Sequence, residues 1–223
     1  MKKRNLSENE KNYLSTYPIP DSLKQEAVTL TFEKGELLSR QGEFFPYLFF
    51  LTKGKVKVCI TEANGKNLLL RFYYAGSMLG SVELFLKGHA TTTVTAITAV
   101  TGIGLPMNAC IRQSTLDTPF VHFIAQSMAI TFDKSSKRNA ANMLYPSEVR
   151  LCAYIEATNE NGRFEENLTE IADLLGVSYR HLLRNISLLC TLGILKKMSR
   201  TAYRIQDPKA LRDMASDCYL IYE

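Results

Sequence analysis

Between Asp173 and Asp207 the chain carries Arg180, Arg184, Lys196, Lys197, Arg200 and Arg204 and no acidic residue. Uncompensated cations at this density suit contact with a polyanion, because each phosphate neutralised by a lysine or arginine releases a condensed counterion. Arginine adds a second capability, since its planar fork matches the O6 and N7 acceptors of guanine. A solvated basic face is the plain alternative, and what favours nucleic acid is the arrangement. By helical spacing Arg180, Leu183, Arg184 and Ser187 share one face, while Leu182, Ile186 and Leu189 share the face that packs inward. Leu183 is suited to a thymine methyl, and Ser178 and Tyr179 are placed for phosphate. Lys196, Lys197 and Arg200 would add backbone charge with little sequence information.

These residues need a rigid frame, and residues 167–204 supply one. Two short helices are expected, with Ile171, Leu174 and Leu175 apolar on the first and Leu182, Ile186 and Leu189 on the second. Gly176 tolerates the turn between them, and the small Ala172 permits a close crossing, which is the helix-turn-helix plan. Asn167 with Glu170 forms a capping box for the first helix, and Ser178 caps the second. The stretch G-I-L-K-K-M-S-R-T-A-Y-R-I reads as two strands around a basic turn, the hairpin of a winged helix. Upstream, S-E-V-R-L-C-A-Y-I reads as a helix burying Val149, Leu151, Cys152 and Ile155, followed by a polar loop from Asn159 to Glu166. Downstream, Asp207-Pro208 caps a last helix to about Tyr222.

The N-terminal part has a different period. Residues 1–25 read as an irregular lead with short helical turns. From Val28 the runs V-T-L-T-F, E-L-L-S-R, Y-L-F-F-L, K-V-K-V-C-I and N-L-L-L-R-F-Y-Y are strand-like. Glycine-bearing turns separate them, and Asn64-Gly65 is the strongest hairpin mark. T-T-T-V-T-A-I-T-A-V and V-T-G-I-G-L-P continue the series to about residue 106, which implies a jelly roll or related barrel. Asp117 or Thr118 then caps a helix with Pro119 in its first turn. From there to Leu144 no glycine or further proline interrupts, so a helix of roughly 25 residues rises about 38 Å at 1.5 Å per residue. That exceeds what a small barrel needs for cover. Phe120, Ile124, Met128 and Phe132 fall on one stripe and suggest a two-stranded dimer seam. The expected class is α+β: a jelly roll over 1–117, a dimerisation helix over 118–145 and a winged helix over 146–223.

Composition narrows the functions. The 223 residues are 46% hydrophobic, enough for a good core, and the net charge of +5 is mild. Residues 1–145 hold 17 basic and 11 acidic side chains and residues 146–223 hold 10 and 11, so the basic window is local. Cys59, Cys110, Cys152, Cys190 and Cys218 are odd in number and widely spaced, as thiols of a reducing compartment are. No apolar run of membrane-spanning or signal-peptide character is present, so a cytoplasmic protein without a membrane partner is expected. A cupin-type metal enzyme needs converging histidines, yet His89, His122 and His181 fall in three separate regions. No G-x-S-x-G or Walker loop occurs either, and no enzyme is expected.

The chain from about residue 28 to 205 resembles the CRP/FNR family of bacterial transcription regulators. The resemblance is carried by F-E-K-G-E-L-L-S-R-Q-G-E at 32–43, L-F-F-L-T-K-G-K-V-K-V at 48–58, N-G-K at 64–66 and A-G-S-M-L-G-S-V-E-L-F at 75–85. In the last part it is carried by I-A-D-L-L-G-V-S at 171–178 with Arg184. It implies a homodimer on double-stranded DNA, contact with RNA polymerase, and a small-molecule signal received near Gly80, Ser81, Glu83, Thr91 and Thr92. Family members that bind cyclic AMP place a glutamate on the ribose and an arginine on the phosphate. Those positions are Ser81 and Thr91 here, followed by Thr92, and a hydroxyl does not replace the bidentate grip of arginine. Glu83 lies nearby, but no arginine follows it before Arg112. The resemblance therefore implies a sensor whose ligand is not cyclic AMP and is otherwise unknown. Iron–sulfur sensing would need N-terminal cysteines, and none precedes Cys59. His89 stands beside the pocket as the one histidine placed for a haem, and Cys59 and Cys110 as candidate redox thiols. Family members that read TGTGA-like half-sites carry R-E-x-x-x-R where this chain has Y-R-H-L-L-R at 179–184, so a different half-site is expected. The competing reading is a ligand-binding jelly roll whose helical domain docks a protein instead of DNA.

Overall fold

The computed structural model describes residues 1–63, 65 and 67–215, with the backbone alone for residues 134 and 137–144. Asn64, Lys66, Cys218 and the expected helix end at Tyr222 lie outside the described residues. The chain packs as two compact units, Met1–Ile60 with Tyr73–Lys134, and Thr61–Phe72 with the chain from Ser135 onward. This division differs from the three consecutive spans read along the sequence: one cut falls inside the long helix, and one strand-borne segment joins the C-terminal unit.

The first unit opens with β1 (Lys2–Asn5), α1 (Glu8–Ser15) and α2 (Asp21–Glu26). The strand replaces part of the irregular lead expected there. It pairs antiparallel with β2 (Val28–Phe32), Lys2 opposite Thr31 and Asn5 opposite Val28. All four of its side chains are exposed, so it is held through backbone hydrogen bonds and shows no alternation in the sequence. Charged side chains on an edge strand also discourage further pairing. Arg4 on this strand holds Glu10 of α1 in a two-pronged contact, both N···O distances 2.8 Å. Ser7 and Glu10 cap α1 reciprocally.

The remaining strands are β3 (Leu37–Ser39), β4 (Tyr47–Lys53), β5 (Lys55–Thr61), β6 (Asn67–Tyr74), β7 (Met78–Leu79), β8 (Thr93–Ala96) and β9 (Val100–Pro106). They form two sheets, β1-β2-β9-β4-β7 and β3-β8-β5-β6. Leu48, Phe49, Leu51, Val56, Ile103 and Leu105 are almost fully buried and make the core. Gly102 is required by that packing, because a Cβ there would run into the Phe49 ring and the Phe50 carbonyl. Three helices accompany the sheets: α3 (Ser81–Phe85), α4 (Met107–Gln113) and α5 (Thr118–Leu144).

Helix α5 is capped by Asp117, whose carboxylate accepts from the Phe120 backbone N–H at 2.8 Å. Its proposed seam is not uniform. Phe120 and Ile124 are 0% exposed within the jelly-roll core, so they are not available to a partner chain. Phe123 beside them stacks on Tyr17 at 5.4 Å. Met128 is partly buried against the same core, and Phe132 is 75% exposed. The first two turns of the helix complete their own domain, and only later turns present apolar surface.

The second unit holds α6 (Ser147–Thr158), β10 (Arg163–Glu165), α7 (Leu168–Leu174), α8 (Tyr179–Thr191), β11 (Leu195–Lys197), β12 (Ala202–Ile205) and α9 (Pro208–Ala215). A third strand, β10, stands in the expected polar loop, giving the sheet order β10-β12-β11. Asn161 and Gly162, both at positive φ, make the turn that returns the chain into it. At the centre lies Tyr154, 0% exposed, with Phe164 at 6.3 Å and its hydroxyl donating to Glu166 at 2.5 Å. Phe72, also fully buried, meets the same ring at a centroid distance of 5.9 Å. This aromatic contact is one of those that tie residues 61–72 to the C-terminal unit.

Candidate nucleic-acid interface

Helix α7 starts at Asn167, whose side-chain oxygen accepts from Thr169 N–H at 3.0 Å, while its amide donates to Glu170 at 3.1 Å. The cap is thus made between side chains and to N2, and not by the reciprocal backbone box expected from the spacing. Gly176 makes the turn at φ +65°, where a side chain would be strained. Val177 N–H closes the turn onto the Ala172 carbonyl at 2.9 Å. Helix α8 is capped by Ser178, which accepts from His181 N–H at 3.2 Å.

The two faces of α8 separate as the periodicity requires. Leu182, Ile186 and Leu189 are buried, while Arg180, Leu183, Arg184 and Ser187 are all exposed. Ser178 and Tyr179 are exposed at its start, and Lys196, Lys197 and Arg200 are exposed on the hairpin of β11 and β12. Lys196 lies opposite Arg204 in the ladder, which puts two of the cations side by side. The structure therefore brings the nine sequence-selected residues onto the solvent side of one helix and one hairpin.

Two features of the site were not found from the sequence. Asn185, 5% exposed on α8, donates from its amide to the Ser147 hydroxyl at 2.8 Å, and the same oxygen is 2.8 Å from His181 Nε2. Arg150 donates to the Leu175 carbonyl at 2.9 Å and so satisfies the end of α7. Both join residues more than two dozen positions apart, and no local period announces such a pair. The only hint was a polar Asn185 on the apolar face.

At the jelly roll, Gly80 takes φ +93° at the start of α3, and Glu83 is 8% exposed. Its Oε1 accepts from Thr91 N–H at 3.1 Å and from the Thr91 hydroxyl at 2.8 Å. Ser81 and Thr92 are half-buried, with the Thr92 carbonyl taken by Ser39 at 3.2 Å. Within this group hydrogen bonds join Glu83 to Thr91, and Thr92 is tied to Ser39 outside it. Thr91, which stands where the resemblance places an arginine, is thus bonded to the Glu83 carboxylate. Elsewhere, burial pushes the Cys59 thiol up to about 11 and the Cys110 and Cys152 thiols up to about 12. These are core thiols with little thiolate at neutral pH, poorly suited to redox sensing. His89 is exposed on the loop after α3.

A two-sheet jelly roll, a long helix and a winged helix-turn-helix in this order define a class of two-part folds. A family model described as the cyclic nucleotide-binding domain matches residues 29–112. Regulatory protein YeiL of Escherichia coli O157:H7 is 32% identical over 184 residues, covering 81% of this chain and 82% of that one. The CRP-like cAMP-activated global transcriptional regulator of Mycobacterium tuberculosis is 24% identical over 168 residues, covering 70% and 75%. Among solved structures, a CRP-family transcriptional regulator from Thermus thermophilus superposes with a TM-score of 0.62 at 21% identity, covering 83% of this chain and 96% of that one. A chain from Eubacterium rectale assigned to the CRP/FNR transcriptional regulators gives 0.73 at 16% identity, covering 94% and 95%. This chain belongs to the CRP/FNR family of transcription regulators.

Proposed function

We propose that the protein is a sequence-specific regulator that reads double-stranded DNA as a homodimer, under a signal at the jelly roll that is not cyclic AMP. The observation that carries the reading is the exposed face of α8, with Arg180, Leu183, Arg184 and Ser187 outward and the wing cations beside it, in a window without acidic residues. Arg180 and Arg184 read base edges, Ser178 and Tyr179 hold phosphate, and Lys196, Lys197 and Arg200 supply backbone charge. The dimer seam takes the later turns of α5, where Phe132 and Ile130 are exposed and Met128 keeps part of its surface beside the core. Paired heads then read paired half-sites.

Selection of duplexes from a random pool tests the reading. A palindromic site other than TGTGA is expected, because Arg180 stands where a glutamate would accept from a cytosine amine. Binding should weaken steeply with salt, and Lys196→Gln or Lys197→Gln should each reduce the log–log salt slope by about one. A TGTGA palindrome would refute the half-site, and salt-insensitive or absent duplex binding would refute DNA reading. The latter result would favour protein docking, for which exposed Leu188 on α8 and Leu192 at its C-cap are the supporting feature.

A further inference from the structure

A recognition helix must be held in rotation about its own axis as well as in place. Apolar packing of Leu182, Ile186 and Leu189 is non-directional and fixes rotation poorly. At an outer helix radius of about 5–6 Å, a roll of about 20° moves a side-chain atom by about 2 Å, enough to break a bidentate base contact. Something directional is needed on the buried side of α8.

We propose that Ser147 is the positioning residue of the reading helix. Its single hydroxyl is bonded by two successive turns of α8, Asn185 Nδ2 at 2.8 Å and His181 Nε2 at 2.8 Å. Glu148 Oε2 lies 3.5 Å from the same oxygen. Ser147 is the first residue of α6 and stands two residues beyond Tyr145, which follows the long helix, so the anchor joins the head to the point where that helix ends. The hydrogen count closes in either histidine tautomer: the hydroxyl accepts from the Asn185 amide, and it either donates to His181 Nε2 or accepts from it and donates to Glu148 Oε2. Three residues along the same side of α6, Arg150 holds the Leu175 carbonyl at 2.9 Å and fixes the other end of the motif. A leucine at 185 would bury well without any partner. A buried amide there costs stability unless its bond is made, and so selects one rotation of the helix.

The inference rests on the DNA-reading function proposed above, and the experiment separates the two. The full-length chain is titrated with the duplex that the wild-type protein selects and with random-sequence duplex, at several salt concentrations. Ser147→Ala should bind the selected duplex about tenfold more weakly, bind random duplex unchanged, and keep the wild-type salt slope, since no phosphate contact is lost. Ser147→Thr, which keeps the hydroxyl, should restore the ratio. The double variant Ser147→Ala/Asn185→Leu leaves no amide unpaired, and should regain the melting temperature while its preference for the selected duplex stays low. Wild-type preference in Ser147→Ala, or its return in the double variant together with the melting temperature, would overturn the proposal and leave a structural cluster. Failure of the wild-type chain to select any duplex would overturn the DNA-binding reading, and this proposal with it.

Discussion

Glu10 shows what a single side chain contributes away from the proposed site. Partial burial acts to raise its pKa, but donors from Arg4, Ser7 and Thr29 outweigh it and bring the value down to about 2 from an ordinary 4.5. A folded value below the unfolded one means that the stabilisation is complete above about pH 4.5 and is lost as pH falls through about 2. Glu10→Gln should lower stability at neutral pH by about 1–2 kcal/mol, discounted because Arg4 is half exposed and screened. The gap between mutant and wild-type melts should close as pH falls through that window; a gap constant with pH would show that the charge is not what stabilises. At this scale legibility depended on sequence distance. Arg180 and Arg184 could be picked out because they repeat at helical spacing on a short element. Asn185 with Ser147, Arg4 with Glu10, and Glu83 with Thr91 are meetings made by tertiary packing, which no local period announces.

Among the elements, α5 carries one apolar stripe that is buried in the jelly-roll core at Phe120 and Ile124 and exposed at Phe132. Phe120→Ala should cost about 3–5 kcal/mol of stability, as removal of a core aromatic does, with no direct effect on dimerisation. Phe132→Glu should leave the melting temperature of the jelly roll near wild type and shift the protein towards monomer in sedimentation. Dimer loss from the first substitution without unfolding would argue against this division. The stripe itself was visible in the sequence, but its partner was not, since a helix that covers a sheet and one that pairs with another helix show the same period. The strands β1 and β10 escaped for the opposite reason. In one all four side chains are exposed, and the other is three residues long with Phe164 alone buried, so neither has a pattern to display. The strands from β2 to β6 and β8 to β9 had apolar runs and glycine turns, and these announced the jelly roll.

At the scale of the whole molecule, residues 29–112 match the cyclic nucleotide-binding domain, and the proposal that the signal is not cyclic AMP is supported by Thr91 at the expected arginine position, bonded to Glu83. Calorimetric titration with cyclic AMP should therefore give no saturable heat up to about 1 mM, roughly −4 kcal/mol of binding free energy. Micromolar binding would show that the Glu83–Thr91 pair opens at little cost. Phe72 lies within the matched segment, and its ring centroid is 5.9 Å from that of Tyr154. A recombinant regulator made by grafting another family member's C-terminal half at residue 146 would keep Phe72 and lose the tyrosine it covers. The natural unit of exchange includes residues 61–72, so a working chimera has to transplant two separated pieces of sequence.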